Sequence, residues 1–232
     1  TDPRLIDEGT DNYASVSFSH TQDVILLGWA LDGLYAPDTP DHGYCGQFTG
    51  PRTPFLYKDK DGKLSLGFKM IPLPADIGRS EILLDQEGQA ALPEQALFMQ
   101  FKAQAGEDFS LKLYNETGEE VSFSRQADTL ELNRAKAVAE VDSQYMDWDI
   151  YQKRQVKSRL DQASSFTLFY DAPLLEVFAE DGTTVFTMAL YPKESLNRLQ
   201  MKGAEDISIE ALAPYEIPQC DEPYLYKDEE RR

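Results

Sequence analysis

Apolar and polar positions alternate through the second half of the chain. Phe109, Leu111 and Leu113, then Phe166, Leu168 and Tyr170, then Leu175, Val177 and Ala179 recur at a spacing of two, the period that lays one face of a strand on a core. Turn signals punctuate the pattern: DKDG at 59–62, NETG at 115–118 and EDG at 180–182, each flanked by residues of high β propensity. The segments LLEVFAE and TTVFTMALY, joined by Asp181 and Gly182, make the clearest hairpin. No long helical period competes; only 133–139 and 146–153 are ambiguous. Regular short strands of this kind read as an antiparallel sandwich or barrel.

The pattern shifts near residues 72–78, where two prolines and a glycine mark a linker. Ahead of it the periodicity predicts strands at 13–19 and 24–29 and a pair around Phe55 and Leu66. Four strands are one propeller blade's worth, and a lone blade cannot bury both of its faces. The strand edges and apolar faces around 24–29 are therefore expected to be covered by another chain, a symmetry mate or a preceding N-terminal part. Beyond Pro214 the segment DEPYLYKDEERR reads as a charged terminus, mobile or draped over the sandwich.

Composition narrows the function classes. The 232 residues carry 41 acidic against 22 basic side chains, a formal charge of −19, which argues against a nucleic-acid partner and against an anionic membrane surface. An acidic surface is also a common solubility device, so the charge selects no substrate. Hydrophobic content of 41% marks a globular chain. Cys45 and Cys220 are distant in sequence and read as free thiols, with no paired-cysteine metal spacing. His20 and His42 are isolated, without the partners of a metal site or a Ser/His arrangement. Apolar runs such as 24–29 are too short to span a bilayer, and residues 1–9 lack signal-peptide regions. The expectation is a soluble chain, the cytoplasm preferred over secretion; the opening TDPRLIDEGTDNY looks cut from something longer.

Two blocks carry a family resemblance. GTDNYASVSF, followed by ILLGWALDGLYAPDTPDHGYCGQFTGPR, resembles the last propeller blade of glycoside hydrolase family 32, the invertases, levanases, inulinases and sucrose-6-phosphate hydrolases. LFYDAPLLEVFAEDGTTVFTMALYP resembles the hairpin of that family's C-terminal sandwich. The likeness spans residues 5–213 and implies an all-β chain: the last blade of a five-bladed β-propeller over 1–78, an antiparallel β-sandwich over 79–213, and a charged tail over 214–232. It also implies retaining hydrolysis of fructofuranosyl bonds in sucrose, sucrose 6-phosphate or fructans, with no metal or organic cofactor. That chemistry uses an Asp nucleophile, a Glu acid/base and a second, stabilising Asp.

In the family those carboxylates belong to motifs of earlier blades, and none of the motifs occurs here. Asp2-Pro3 is followed by Arg4, and Glu8 lacks the cysteine that follows the family's catalytic Glu. The chain is thus expected to contain no catalytic residue and to be inactive alone. The positions that match substrate-side motifs are Asp11, Tyr13, Trp29 and Asp32. Asp11 and Tyr13 either orient the catalytic acid or anchor strand hydrogen bonds; Trp29 is either core or platform. Asp32 and Gly33 replace the usual Asn and Trp, removing an apolar wall from the implied fructose pocket. Tyr44-Cys45-Gly46 stands where WRG is common and Gly50-Pro51-Arg52-Thr53 where LPRE is common. Arg52 is expected to pair a carboxylate or cap carbonyls, with sugar-phosphate binding as the alternative. Glu176 reads as an ion pair or domain contact, and Asn115 opens a formal glycosylation sequon. A rival class is a noncatalytic carbohydrate-binding or assembly sandwich; a third possibility is a two-chain enzyme in which another polypeptide supplies the missing blades.

Overall fold

A computed structural model describes residues 5–40, 46–138, 141 and 151–214. His42, Tyr44, Cys45, Cys220, residues 146–150 of the second helix-ambiguous segment and residues 215–232 of the tail lie outside the described residues.

Four strands form the N-terminal sheet in sequence order: β1 (Tyr13–Ser17), β2 (Leu26–Trp29), β3 (Arg52–Lys58) and β4 (Leu64–Met70). They coincide with the four strands expected from the alternation. The β3–β4 hairpin runs in unbroken register from Arg52 opposite Met70 to Lys58 opposite Leu64. Its turn is the DKDG signal, where the Asp59 carboxylate accepts from Asp61 and Lys63 amides and the Gly62 amide donates to the Asp59 carbonyl.

After the linker, twelve strands build two six-stranded antiparallel sheets, which decides for a sandwich over a barrel. One sheet holds β6 (Gln89–Ala91), β8 (Phe109–Tyr114), β9 (Glu120–Gln126), β10 (Thr129–Asn133), β11 (Lys153–Lys157) and β15 (Arg198–Lys202), in the order β11-β10-β9-β8-β15-β6. The other holds β5 (Arg79–Glu81), β7 (Ala96–Ala103), β12 (Ser164–Asp171), β13 (Leu174–Ala179), β14 (Thr184–Ala189) and β16 (Glu205–Leu212), in the order β14-β13-β12-β7-β16-β5. Every member of the three alternating triads is buried in the core between the sheets. Phe166 stacks on Phe101 with ring centroids 4.9 Å apart, and Phe109 meets both rings edge-on.

β12 alternates buried and half-buried positions, as a strand with one covered face should. β13 and β14 are buried at every position. Their core-facing residues are Leu175, Val177, Phe186 and Met188; the opposite face, with Phe178 and Val185, packs against Phe68 of the N-terminal sheet. A second apolar contact joins Leu31, Tyr35 and Ala36 to Ala189 and Tyr191. The β13–β14 hairpin follows the expected strands, but its turn is longer than the expected Asp181-Gly182 pair. Glu180, Asp181 and Gly182 all take positive φ, and a Cβ on Gly182 would sit 2.1 Å from the Phe68 carbonyl oxygen.

Candidate functional site

The chemistry-bearing side chains collect where residues 7–11 cross the outer edge of β14. Glu8 and Asp11 amides donate to the carbonyls of Val185 and Thr187 at 2.7 and 3.1 Å. The Asp7 and Asp11 carboxylates accept from the Thr187 and Ala189 amides at 2.9 and 2.8 Å. An edge strand with exposed pairing groups is thus closed by main chain and side chains together. Gly9 makes the approach possible, because a Cβ there would lie 2.1 Å from the Thr187 carbonyl oxygen.

Three arginines, in four ion pairs, lock this crossing. Asp11 is fully buried and accepts from the Tyr35 hydroxyl at 2.5 Å and Arg134 Nη1 at 2.6 Å. Arg134, equally buried, also donates to the Thr10 hydroxyl at 3.0 Å, to the Tyr151 carbonyl at 3.0 Å and to the Ala189 carbonyl. Burial works to lower the Arg134 guanidinium, yet Asp11 and Tyr35 outweigh it and hold the group above its ordinary value. Burial, reinforced by Asp11, pushes the Tyr35 hydroxyl far up, so it stays a donor.

The second lock is Arg52, set between Asp7 at 2.7 Å and Glu176 at 2.5 Å, with the Thr187 hydroxyl at 3.1 Å. The Gly50 amide also donates to Glu176 at 2.7 Å. Burial works to lower Arg52, but its two carboxylates hold it above the ordinary value. Two carboxylates around one cation leave a surplus negative charge in a dry place. Burial, with a smaller contribution from Asp7, accordingly pushes the Glu176 carboxyl up to about 7 against the pull of Arg52 and the Gly50 amide. Arg52 therefore pairs carboxylates, and Glu176 is an ion-pair partner between the sandwich and the N-terminal sheet. The third lock joins Arg159 to Glu8 at 2.5 Å. Arg159 also donates to the Thr183 carbonyl at 2.7 Å.

The four positions matched to substrate-side motifs do not lie in one environment. Asp11 points inward as described. Tyr13, on β1, is 65% exposed, and its ring meets Trp29 edge-on at 6.4 Å. Trp29 is half-buried and packs on the Leu31–Tyr35 cluster, its indole against Gly46. Asp32 is half-buried and accepts from the Leu34 amide at 2.8 Å and the Tyr151 hydroxyl at 3.2 Å. Tyr13 and Trp29 are thus together, and Asp11 and Asp32 are linked through Tyr35, Tyr151 and Arg134. His20 is exposed. Asn115 of the sequon is 5% exposed, with its amide nitrogen donating to Glu119 and to the Glu194 carbonyl. Among the described residues no group of three or more His, Cys, Asp and Glu is placed to hold a metal ion, and no helix is long and apolar enough to cross a membrane.

Sequence reasoning missed Arg134, Arg159, Tyr35 and Asp7, whose partners are 123, 151, 24 and 45 residues away. The available signal was the period of two: Arg134 continues the inward positions of Leu130 and Leu132, and a charged side chain on that face is buried only when paired.

The fold has relatives among solved structures. An exo-inulinase from Aspergillus awamori aligns with a TM-score of 0.70 at 17% identity, covering 90% of this chain and 44% of that one. A fructofuranosidase from Schwanniomyces occidentalis complexed with fructosylnystose gives 0.70 at 17%, covering 91% and 49%. A sucrose-6-phosphate hydrolase from Lactobacillus gasseri gives 0.64 at 17%, covering 90% and 42%. The chain therefore spans less than half the length of these structures. No curated protein matches the sequence. The model of the glycosyl hydrolases family 32 C-terminal domain matches residues 77–214, more than half of the chain. With the sandwich, its hairpin and the motif residues in place, the chain belongs to the C-terminal domain family of the family 32 glycosyl hydrolases.

Proposed function

We propose that the chain is the C-terminal part of a retaining β-fructofuranosidase acting on sucrose, sucrose 6-phosphate or a fructan, that residues 1–78 are its last propeller blade, and that the chain is inactive alone. The observation that carries this reading is the uncovered half of the N-terminal sheet. The sandwich covers one face of it. Elsewhere on the sheet and its loops, Val16, Phe18, Val24, Phe48 and Leu56 are more than half exposed, and Leu56 faces the exposed Leu66 across the β3–β4 ladder. An apolar sheet left open in this way calls for another layer. In this reading preceding blades supply that layer over residues 13–29, together with the catalytic Asp, Asp and Glu, and the sugar is bound in the assembled enzyme.

Within that enzyme Tyr13 and Trp29 form the sugar-side surface, since they are the matched pair left open to an added blade. Asp11 and Asp32 act from behind, positioning the 11–13 segment through Arg134, Tyr35 and Tyr151. Tyr13 would orient the proton of the catalytic acid, whose raised pKa suits it to protonate a leaving oxygen. The structural relatives named above, an exo-inulinase, a fructofuranosidase and a sucrose-6-phosphate hydrolase, favour the substrate class.

The test is hydrogen exchange at β1 and β2 in the isolated chain and after mixing with the separately produced upstream polypeptide. Amides of 13–17 and 26–29 are expected to exchange fast alone and to gain protection on mixing. Full protection in the isolated monomer would overturn the reading.

A further inference from the structure

One cavity in the sandwich belongs to none of the three locks. It is a half-open hollow of about 720 Å³ where the loop before β7, the β12–β13 turn and the β14–β15 loop meet, within the range of about 300–1,000 Å³ common to small-molecule sites. Its walls include Pro93 and Pro173, and its polar groups include Gln95, Tyr170, Asp171 and Asn197. The ring of Tyr170 belongs to the sandwich core and the residue is 7% exposed, but its hydroxyl has no hydrogen-bond partner among the described residues. It is also absent from the fully enclosed, unpaired polar atoms, so it opens on the cavity. Burial, helped by Asp171, pushes this hydroxyl up to about 12 and keeps it a donor. Asp171 is exposed at the cavity mouth; its carboxyl forms no ion pair and no hydrogen bond among the described residues, and partial burial against the wall pushes it above its ordinary value. A tyrosine hydroxyl that opens on the cavity and an exposed carboxyl beside it, neither held by a protein partner, are free to bind a ligand's hydroxyls.

The rim is fixed in advance. The Asn197 carbonyl holds the Leu92 amide at 2.8 Å, the Pro173 carbonyl holds the Leu190 amide at 2.6 Å, and the Lys193 and Glu194 amides are held by Glu119 at 2.7 and 3.1 Å. Binding there would order little new chain, which favours affinity. Charge narrows the ligand. Glu94 and Asp171 face the single cation Lys193 in a chain of charge −19, so a phosphate or carboxylate ligand meets a net negative site. A carboxylate accepts two adjacent hydroxyls, the amides of Gln95 and Asn197 both donate and accept, and proline rings offer flat C–H surfaces. Vicinal hydroxyls on a ring fit that set.

We propose that this cavity binds a neutral mono- or oligosaccharide, as a noncatalytic site carried by the sandwich itself. It stands apart from the fructofuranosidase reading, because every wall lies in residues 93–197. The experiment is an amide-resolved NMR titration of the 232-residue chain with sucrose and, separately, maltose. Saturable shifts confined to 93–96, 170–173 and 190–197, half-complete at roughly millimolar sugar, are expected. Sucrose alone would mark a fructosyl-selective site and both sugars a general saccharide site; either supports the proposal. D171A should weaken binding about tenfold or more and Y170F about three- to tenfold, following the usual worth of charged and neutral hydrogen bonds. Y170F keeps the core ring, so unchanged amide signals outside the cavity confirm that both variants are folded. No saturable shift, shifts that map to the N-terminal sheet instead, or equal binding by both variants would overturn it.

Discussion

Replacing Arg134 by methionine probes the deepest lock between the N-terminal sheet and the sandwich. The side chain is fully buried and serves Asp11, Thr10 and two carbonyls at once. Methionine fills much of the volume but leaves the Asp11 carboxylate enclosed with only the Tyr35 hydroxyl, the Thr10 hydroxyl and the Ala189 amide. Breaking one side of a buried pair costs about 3–5 kcal/mol. For a chain of this length each kcal/mol lowers the melting temperature by about 2–4 °C, so R134M should melt roughly 6–20 °C below the wild type. The double variant R134M/D11N removes the stranded charge as well and should recover part of that loss, giving a coupling of about 0.5–3 kcal/mol. Thermal unfolding followed by circular dichroism reads both numbers, and limited proteolysis should show residues 13–40 released before the sandwich. A melting temperature for R134M within about 2 °C of wild type, or a double variant with no recovery, would refute the reasoning.

Three further outcomes follow from other parts of the structure. Glu176 has a folded value raised to about 7 from its ordinary 4.5, so the folded state holds the proton more tightly. Its contribution is fully present below about pH 4.5 and lost as pH rises through about 7, on the order of 3 kcal/mol; E176Q should flatten the fall in melting temperature between pH 5 and pH 7.5. In the core, Phe166→Ala removes a ring stacked on Phe101 at 4.9 Å and should cost about 3–5 kcal/mol by denaturant titration. On the open sheet, V16K and F48S should lower binding of a hydrophobic dye and the tendency to self-associate, with stability within about 0.5 kcal/mol of wild type, because both positions are mostly exposed.

The strands were legible because alternation is a local signal. Phe109, Leu111 and Leu113 declare their inward face wherever the partner sheet lies, and the NETG and DKDG turns carry their own chemistry. β13 was less transparent: Glu176 sits at an outward position of a wholly buried strand, and its partners, Arg52 and the Gly50 amide, lie 124 and 126 residues away. Asp11 shows the same limit. Its motif drew attention, but the choice between orienting a catalytic acid and anchoring a strand depends on partners at Tyr35, Arg134 and Ala189 that no spacing rule connects. Gly9 is the instructive case between these, since its small size is required by one carbonyl of β14 that sequence places 178 residues away.

The central claim is most directly tested by fructose release from sucrose and levan, measured with the purified chain alone and after mixing with its upstream polypeptide. The account predicts no release by the chain alone and turnover on mixing, with the catalytic carboxylates supplied by the added part. Turnover by the 232-residue chain alone would contradict it.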